Sequence, residues 1–248
     1  MAYKRTFQET HRLVPRFADR LIYKKQWDNF HLQFYKGGYR VNEDEPKMEG
    51  FFLAPPEESL RTPSFDLDQI RAIEERQQKM VAGMGFSSAT HTLFEGDFQT
   101  NWRLAVGMGH PSVYENGLTL HFLFGLPYLP GSGIKGMLRN TIIVEAFEGK
   151  EEQALENKVF VALFGKEPSK KNSGYWGQLM FFDAFPIRAP KIGLDIINNH
   201  HQSYYEGKTP PGDWIDPNPV QFLNVQEGIF RIRIGFPERR KNTWNLDP

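Results

Sequence analysis

The stretch GLPYLPGSGIKGMLRN, residues 125–140, is the part of the sequence from which the fold and the function are inferred. It follows an apolar run, GLTLHFLFG, whose composition is typical of a strand, and its second half has the periodicity of a helix. Residues 131–140 hold three glycines, a serine, a lysine and an arginine. Because backbone amides at the start of a helix attract anions, the stretch predicts a phosphate-binding turn between a strand and a helix.

The stretch partly matches two nucleotide-binding motifs but satisfies neither of them. Gly131, Gly133 and Gly136 match G-x-G-x-x-G, but the acidic residues about 20 positions later lie in a polar run that cannot form the second buried strand of a dinucleotide fold. The first and third of these glycines also have the Walker spacing. Met137 and Leu138, however, occupy the positions of the Walker lysine and of the hydroxyl that binds magnesium. The sequence therefore disfavours NAD, flavin, ATP and GTP.

Two cations give the glycine turn, residues 131–136, a different interpretation. Lys135 and Arg139 are four residues apart, so they share one face of the predicted helix. With the glycine amides they predict a cradle for the phosphates of a nucleic-acid backbone. In the alternative interpretation, the glycines only allow the helix to pack closely against a sheet.

Composition limits the classes of function. With 248 residues, 40% of them hydrophobic, the chain can bury a core, and its 30 basic and 30 acidic residues give a formal net charge of zero. Any attraction to nucleic acid must therefore be local. The sequence has no cysteine, which excludes disulfides and thiolate chemistry, and no run near the roughly 18 apolar residues of a membrane span. We expect a soluble, cytoplasmic protein.

Periodicity predicts helices and strands along most of the chain after residue 65. One helix is expected to begin near Asp66 or Asp68 and to end at Gly83 or Gly85. Its apolar positions are Ile70, Ile73, Met80 and Val81. The helix after the glycine turn is predicted to have an apolar face that includes Met137, Leu138, Ile142, Val144 and Ala146. Strands are predicted at TNWRLAVGMG, GLTLHFLFG, GQLMFFDAFPI, KIGLDII, VQFLNVQ and GIFRIRIGF, the last two joined by a short turn.

The last predicted strand alternates between apolar and basic residues. Phe230, Ile232 and Ile234 fall on one face, which is expected to join the core. Arg231 and Arg233 fall on the other face, and we expect them to add basic surface for RNA.

The ordered motifs after residue 100 resemble a known family. The run from Gly107 to Asn140 resembles the signature of the RAMP superfamily of CRISPR proteins, in which a strand and a glycine turn lead into a helix. Further matches are LFG at 163–165, GQLMFFDAFP at 177–186, GLDIINNHHQSYY at 193–205 and PPGDWIDPNPVQFLNV at 210–225. Taken in this order, they are similar to a subunit of the type III-B, or Cmr, RNA-guided effector complex.

The resemblance implies an α+β architecture, a ferredoxin-like (RRM-type) RAMP fold with insertions. Residues 1–99 are expected to form an N-terminal extension or insertion, and residues 100–248 the RAMP core. Members of the family usually continue past the last strand into another helix and a glycine-rich loop, whereas this sequence ends at PERRKNTWNLDP. We therefore expect the C-terminal half of the ferredoxin-like core to be missing or altered.

The resemblance also implies a function in antiviral defence. The chain is expected to be a noncatalytic subunit that helps to hold the duplex of guide crRNA and target RNA near the end of the filament distal to the crRNA 5′ tag. Its partners would be these two RNAs and other Cmr or RAMP subunits, with no cofactor, metal or membrane. The residues expected to bind RNA are Gly131, Ser132, Gly133, Lys135, Gly136 and Arg139, together with Arg231 and Arg233. A basic N-terminal cluster, Arg12, Arg16, Arg20, Lys24 and Lys25, is either a second contact surface or a solvated face.

Two catalytic alternatives remain open at this point. Asp183 and Asp195 follow predicted strands and could bind a metal with a nearby histidine, but their spacing matches no established ligand motif, and we expect them to cap turns or accept from backbone amides. The second alternative is a RAMP-family endoribonuclease that processes CRISPR repeat RNA by metal-independent attack of a 2′-hydroxyl. Its candidate general acids and bases are His110, His121, His200 and His201.

Overall fold

The computed structural model describes residues 11–12, 29–36, 39–40, 65–109, 116–168, 174–199, 202–208, 210, 212 and 218–236. The helices are α1 (Phe30–Lys36), α2 (Leu67–Gly83), α3 (Gly131–Phe147), α4 (Glu151–Glu156), α5 (Lys158–Phe164) and α6 (Gln202–Tyr205). The strands are β1 (His11–Arg12), β2 (Tyr39–Arg40), β3 (Leu93–Gln99), β4 (Gly165–Lys166), β5 (Tyr175–Trp176), β6 (Met180–Phe181), β7 (Lys191–Asn199), β8 (Asn218–Glu227) and β9 (Ile229–Gly235). The mixture of helices and antiparallel sheets confirms the α+β class, and the ferredoxin-like topology stays a prediction.

The described residues form two compact units that interleave along the chain. The first contains those within residues 1–69, 100–127 and 188–228, and the second contains those within residues 70–99, 128–187 and 229–248. Residues 70–99, which the sequence placed in an N-terminal extension, thus share a unit with the glycine turn.

The sheet of the second unit is built around β9. Its strand order is β3-β9-β6, and both neighbours run antiparallel to β9. Phe230, Ile232 and Ile234 are buried, which confirms the predicted core face of this strand. The short turn predicted between β8 and β9 is confirmed at Gly228, but the two strands do not pair with each other, because β8 pairs with β7 in a separate sheet.

Helix α2 has the predicted bounds. The side chain of Asp66 accepts a hydrogen bond from the amide of Asp68 at 2.9 Å, which satisfies one of the free donors at the N-terminus. Ile70, Ile73 and Val81 are buried as predicted, whereas Met80 is exposed.

Helix α3 begins four residues before Lys135, and its buried face differs from the predicted one. Ile134 and Ile143 are buried, and Ile143 belongs to a cluster with Ala154, Phe160 and Phe164, against which Leu138, Ile142 and Phe147 pack. Met137 and Val144, assigned to the apolar face, are exposed. The sequence contains apolar residues on more than one side of this helix, so periodicity alone did not identify the packed side.

In the first unit, the strands predicted at KIGLDII and VQFLNVQ are present as β7 and β8, and they form an antiparallel pair from Ile192 opposite Val225 to Asn199 opposite Asn218. The two strands predicted between residues 99 and 125 are wrong. Within the described part of that segment the backbone makes only isolated bridges, Leu104 with Val225 and Leu120 with Pro127.

Candidate nucleic-acid interface

The first glycine of α3 has a packing role. A Cβ atom added to Gly131 would lie 2.6 Å from the carbonyl oxygen of Phe181 in β6, too close for any side chain. The amide of Gly131 donates to Oδ1 of Asp183 at 2.7 Å, so this carboxylate satisfies one donor of the helix N-terminus. The packing interpretation of the glycine turn therefore applies at this position.

The other two glycines of the turn have no packing role. Gly133 and Gly136 are exposed, and a Cβ atom added to either would have no heavy atom within 4 Å apart from the neighbouring backbone of its own helix. Glycine in an exposed helix is about 1 kcal/mol less favourable than alanine. These two positions thus leave a bare backbone surface that the packing of the chain does not require.

The Gly133 part of this bare surface lies in the first turn, at the positive end of the helix dipole. Ser132 is exposed beside Gly133, and the amides of both residues lie in the first turn, where α-helical geometry offers them no carbonyl acceptor within the helix. Such amides attract anions. The carboxylate of Asp183 already occupies the neighbouring amide, that of Gly131, so an incoming phosphate would meet the later amides of the turn.

Lys135 and Arg139 line the same cavity, as expected from their shared helical face. The cavity has a volume of about 910 Å³. Lys135 has no ion-pair partner in the part of the chain that the structure describes. Nη2 of Arg139 lies 2.6 Å from Oε1 of Glu151, and its guanidinium is 5.5 Å from the ring centre of Phe160. The glycine turn therefore has one cation available to a ligand and a second cation shared with a carboxylate.

The cavity is also lined by two aromatic residues, here called the aromatic wall, which the sequence analysis missed. Tyr175 and Trp176 of β5 line it, with the side chains 69% and 95% exposed. Lys166 of the paired strand β4 also lines the cavity and donates from Nζ to the carbonyl of Leu155 at 3.1 Å. The signal in the sequence was the pair of adjacent aromatic residues flanked by glycines in SGYWGQ.

Arg231 and Arg233 lie within an internal ion-pair network instead of presenting free charge. Nε and Nη2 of Arg231 donate to both oxygens of Asp97 at 2.6 and 2.8 Å, and Nη1 donates to Glu74 at 2.7 Å. The side chain of Arg233 is only 1% exposed. It donates to Glu95 at 2.5 Å and also to Glu74.

The network joins three elements of the second unit. Asp97 and Glu95 of β3 stand directly opposite Arg231 and Arg233 of β9, and Glu74 reaches both arginines from α2. Helix α2 therefore covers the face of β9 that the sequence interpreted as an open basic surface. Both guanidinium groups are paired with carboxylates, so the structure gives no support to the prediction that these two arginines bind RNA.

The same network extends to the glycine turn. Nη1 of Arg233 donates to Oε1 of Gln77 at 2.9 Å, and Nε2 of Gln77 donates to the backbone carbonyl of Asp183 at 2.8 Å. The side chain of Asp183 in turn accepts from Gly131. A continuous chain of hydrogen bonds thus fixes the start of α3 relative to α2 and β9.

The charges of this network shift the pKa values of Glu74, Asp97 and Arg231. Burial raises the pKa of Glu74, but hydrogen bonds from Arg233 and Arg231 outweigh it, so the net pKa lies below the ordinary value. The hydrogen bond from Arg231 likewise lowers the pKa of Asp97, and the hydrogen bond to Asp97 raises the pKa of Arg231. All these groups are therefore charged at neutral pH.

The residues considered for catalysis have other partners where they are described. Asp183 accepts from a backbone amide, as predicted, and Asp195 accepts from the amide of Ile196 at 2.9 Å and pairs with Arg103, which lowers its pKa. The ring of His121 stacks on Phe124, with 4.4 Å between the ring centres. Outside the described residues lie His110, His200, His201 and all of the basic N-terminal cluster except the backbone of Arg12.

Two other features are absent from the described residues. No group of three or more histidine, aspartate or glutamate side chains in these residues could hold a metal ion. None of the described helices combines the length and the hydropathy needed to cross a bilayer.

Comparisons with known proteins give one family. A family model described as the RAMP superfamily matches residues 97–246. A CRISPR system Cmr subunit, Cmr6 of Pyrococcus furiosus, is 32% identical to this chain, and the match covers 58% of each protein. Cmr6 of Saccharolobus solfataricus is 26% identical over 59% of this chain and 47% of the relative. This chain thus spans about half the length of the curated relatives that it matches.

A solved structure shares the fold. A chain in the cryo-EM structure of a type III-B Cmr-beta complex bound to cognate target RNA superposes with a TM-score of 0.51 and 21% identity. The superposition covers 72% of this chain and 56% of that chain.

Proposed function

Since this chain belongs to the RAMP superfamily, we propose that it is a noncatalytic RNA-binding and assembly subunit of a type III-B (Cmr) CRISPR effector complex. In this role it helps to hold the duplex of guide crRNA and target RNA near the end of the filament distal to the crRNA 5′ tag, in the cytoplasm. Its partners are the two RNAs and other Cmr subunits. The similarity to Cmr6 of two organisms supports this assignment.

One observation carries the RNA-binding part of the proposal. Lys135, which has no ion-pair partner among the described residues, lines the cavity of about 910 Å³, and Gly133 and Gly136 of the same helix have open space in front of them. Such a surface binds phosphates through charge and backbone amides, and these contacts do not depend on the identity of the base. A guide must be accepted whatever its sequence, so this form of recognition suits the proposed role.

We assign no catalytic residue in this proposal. Asp183 and Asp195, the carboxylates considered for metal binding, hold a helix amide and an arginine respectively. Their role here is structural.

The proposal is tested by purifying the tagged chain from cells that also express its neighbouring genes. Denaturing gels and mass spectrometry then identify the RNA and protein that co-purify. We expect an RNA of guide length and several RAMP-type subunits with the unmodified chain, and less RNA with Lys135→Ala and Arg139→Ala. Lys158→Ala is the matched control, because Lys158 is exposed and does not line the cavity.

Affinity measured against salt concentration locates the contact. Each phosphate contact that is lost should reduce the slope of log K against log salt by about 0.7–0.9, to a similar extent for all RNA sequences. A strong dependence on sequence would contradict the proposal, and so would purification of a lone chain that carries no RNA.

A further inference from the structure

We propose that the cavity beside the glycine turn binds one unpaired RNA nucleotide, whose base stacks on Trp176 and whose phosphate is bound by Lys135. This inference rests on the proposed function. The inference adds to the proposed function by stating which form of RNA, single-stranded or double-stranded, the cavity accepts.

The residues of the aromatic wall bury little of their surface. A tryptophan side chain contributes to stability by burying 150–250 Å² of surface, but Trp176 remains 95% exposed and Tyr175 69% exposed. Both exposed residues line the same cavity, so each leaves a ring that a ligand can cover. Unlike a basic groove alone, the aromatic wall offers the flat apolar faces on which nucleobases stack.

The two rings are carried by an ordered strand pair. Strands β4 and β5 pair with Gly165 opposite Trp176 and Lys166 opposite Tyr175. Gly165 has a φ of 88°, and a Cβ atom added there would lie 2.6 Å from the carbonyl oxygen of Tyr175. The next residues are tied to α5, because the amide of Gln178 donates to the carbonyl of Ala162 at 2.9 Å. The backbone that carries the rings is therefore held in place before a ligand binds.

The size and charge of the cavity suit a nucleotide within a strand. Its volume of about 910 Å³ lies within the range of about 300–1,000 Å³ that is typical of ligand pockets. Three cations and two carboxylates line it, which gives a net charge of +1. They are Lys135, Arg139, Lys166, Glu151 and Glu167. One phosphodiester group carries the complementary single negative charge, whereas a free nucleoside di- or triphosphate carries several.

Stacking on a side chain requires that the base be unpaired. Inside a duplex, neighbouring base pairs cover both faces of each base, so a protein ring reaches a base face only at an unpaired or displaced nucleotide. The cations alone would bind the phosphates of either form of RNA. The aromatic wall therefore makes this site selective for single-stranded over double-stranded RNA.

The test compares two forms of one RNA. The full chain is titrated with a short oligoadenylate that contains a central 2-aminopurine, once as a single strand and once annealed to its complement. For the single strand we expect Trp176→Ala to reduce affinity by about 5- to 100-fold and to abolish the quenching of 2-aminopurine fluorescence. For the duplex we expect a change of less than about twofold. Trp176→Phe should retain most of the affinity because a ring remains.

A matched control separates the cavity from exposed aromatic residues in general. Trp102 is 80% exposed and does not line the cavity, so Trp102→Ala should leave both affinities unchanged. Competition with adenosine monophosphate tests whether the cavity prefers a free mononucleotide to a nucleotide within an RNA strand. Displacement of the oligonucleotide by equal concentrations of this mononucleotide would overturn the assignment of an RNA strand.

The remaining outcomes separate this inference from the proposed function. If Trp176→Ala binds the single strand normally while Lys135→Ala weakens both forms, the stacking site is overturned and the phosphate contact stands. Equal losses for the single strand and the duplex in Trp176→Ala would also overturn stacking. If the unmodified chain binds neither form at low salt, RNA binding by this chain fails and the inference fails with it.

Discussion

Gly133 and Gly136 are predicted to lower the stability of the chain and to increase its affinity for RNA. Glycine in an exposed helix costs about 1 kcal/mol relative to alanine, and both positions have room for a methyl group. We therefore expect Gly133→Ala and Gly136→Ala each to raise the free energy of unfolding by about 0.5–1 kcal/mol in urea titrations. The same methyl groups would occupy the bare surface that an RNA backbone approaches, so RNA affinity should fall.

Gly131 supplies the matched control for this experiment. Alanine at this position would place its Cβ atom 2.6 Å from the carbonyl oxygen of Phe181, so Gly131→Ala should lower the free energy of unfolding. Tighter or unchanged RNA binding by the more stable variants would remove the functional reason for the exposed glycines. The sequence alone could not make this distinction, because the three glycines share one motif and only the position of β6 separates them.

The junction of α2, β3 and β9 is predicted to make stability depend on pH. Glu74 receives hydrogen bonds from Arg231 and Arg233, and charged hydrogen bonds contribute about 1.5–3 kcal/mol each. Glu74→Gln leaves an acceptor without the charge, and we expect it to reduce the free energy of unfolding by about 1–3 kcal/mol at pH 7. Thermal unfolding measured at several pH values gives both the size of the loss and its pH dependence.

The sign of the pH effect follows from the pKa of Glu74, which lies below its ordinary value of 4.5 in the folded chain. The contribution of a carboxylate with a lowered pKa is complete well above the ordinary value and is lost as the pH falls through that value towards the folded one. Glu74→Gln should therefore flatten the decline in stability below about pH 5. Glu75→Gln, at an exposed neighbour on α2, is the control. An acid decline as steep in Glu74→Gln as in the parent chain would contradict this account.

Elements with strong local patterns were predicted well, and elements that depend on distant partners were not. The bounds of α2 follow from its capping aspartate and terminal glycine, and the faces of β9 follow from strict alternation. What covers the arginine face of β9 depends on α2, more than 140 residues earlier in the chain. The apolar run before the glycine turn has strand composition, yet among the described residues it pairs only through an isolated bridge.

The interleaving of the two units has the same physical cause. Each unit is assembled from segments far apart in sequence. Local composition does not predict which of these segments pack together. The candidate cavity is easier to relate to the sequence, since its residues fall within 135–177. Lys135 and Arg139 were found from helical spacing, whereas the aromatic wall required the pairing of β4 with β5.

A formal net charge of zero leads to a last prediction, that RNA affinity depends on where charge lies and not on how much the chain carries. Glu145 is exposed ten residues beyond Lys135 on α3, about 15 Å along the helix axis. That distance exceeds the screening length of about 8 Å at physiological ionic strength. Glu145→Lys raises the formal net charge from 0 to +2, yet we expect it to change RNA affinity by less than about twofold.

Lys135→Ala lowers the formal net charge only to −1, yet it should reduce affinity about tenfold, because it removes a charged contact worth about 1.4 kcal/mol. Both variants are measured by titration with the same RNA at about 0.15 M salt, the ionic strength at which that screening length applies. If Glu145→Lys instead tightened binding by as much as Lys135→Ala weakened it, attraction would follow the charge of the whole chain. The contact would then not be confined to the cavity at the start of α3.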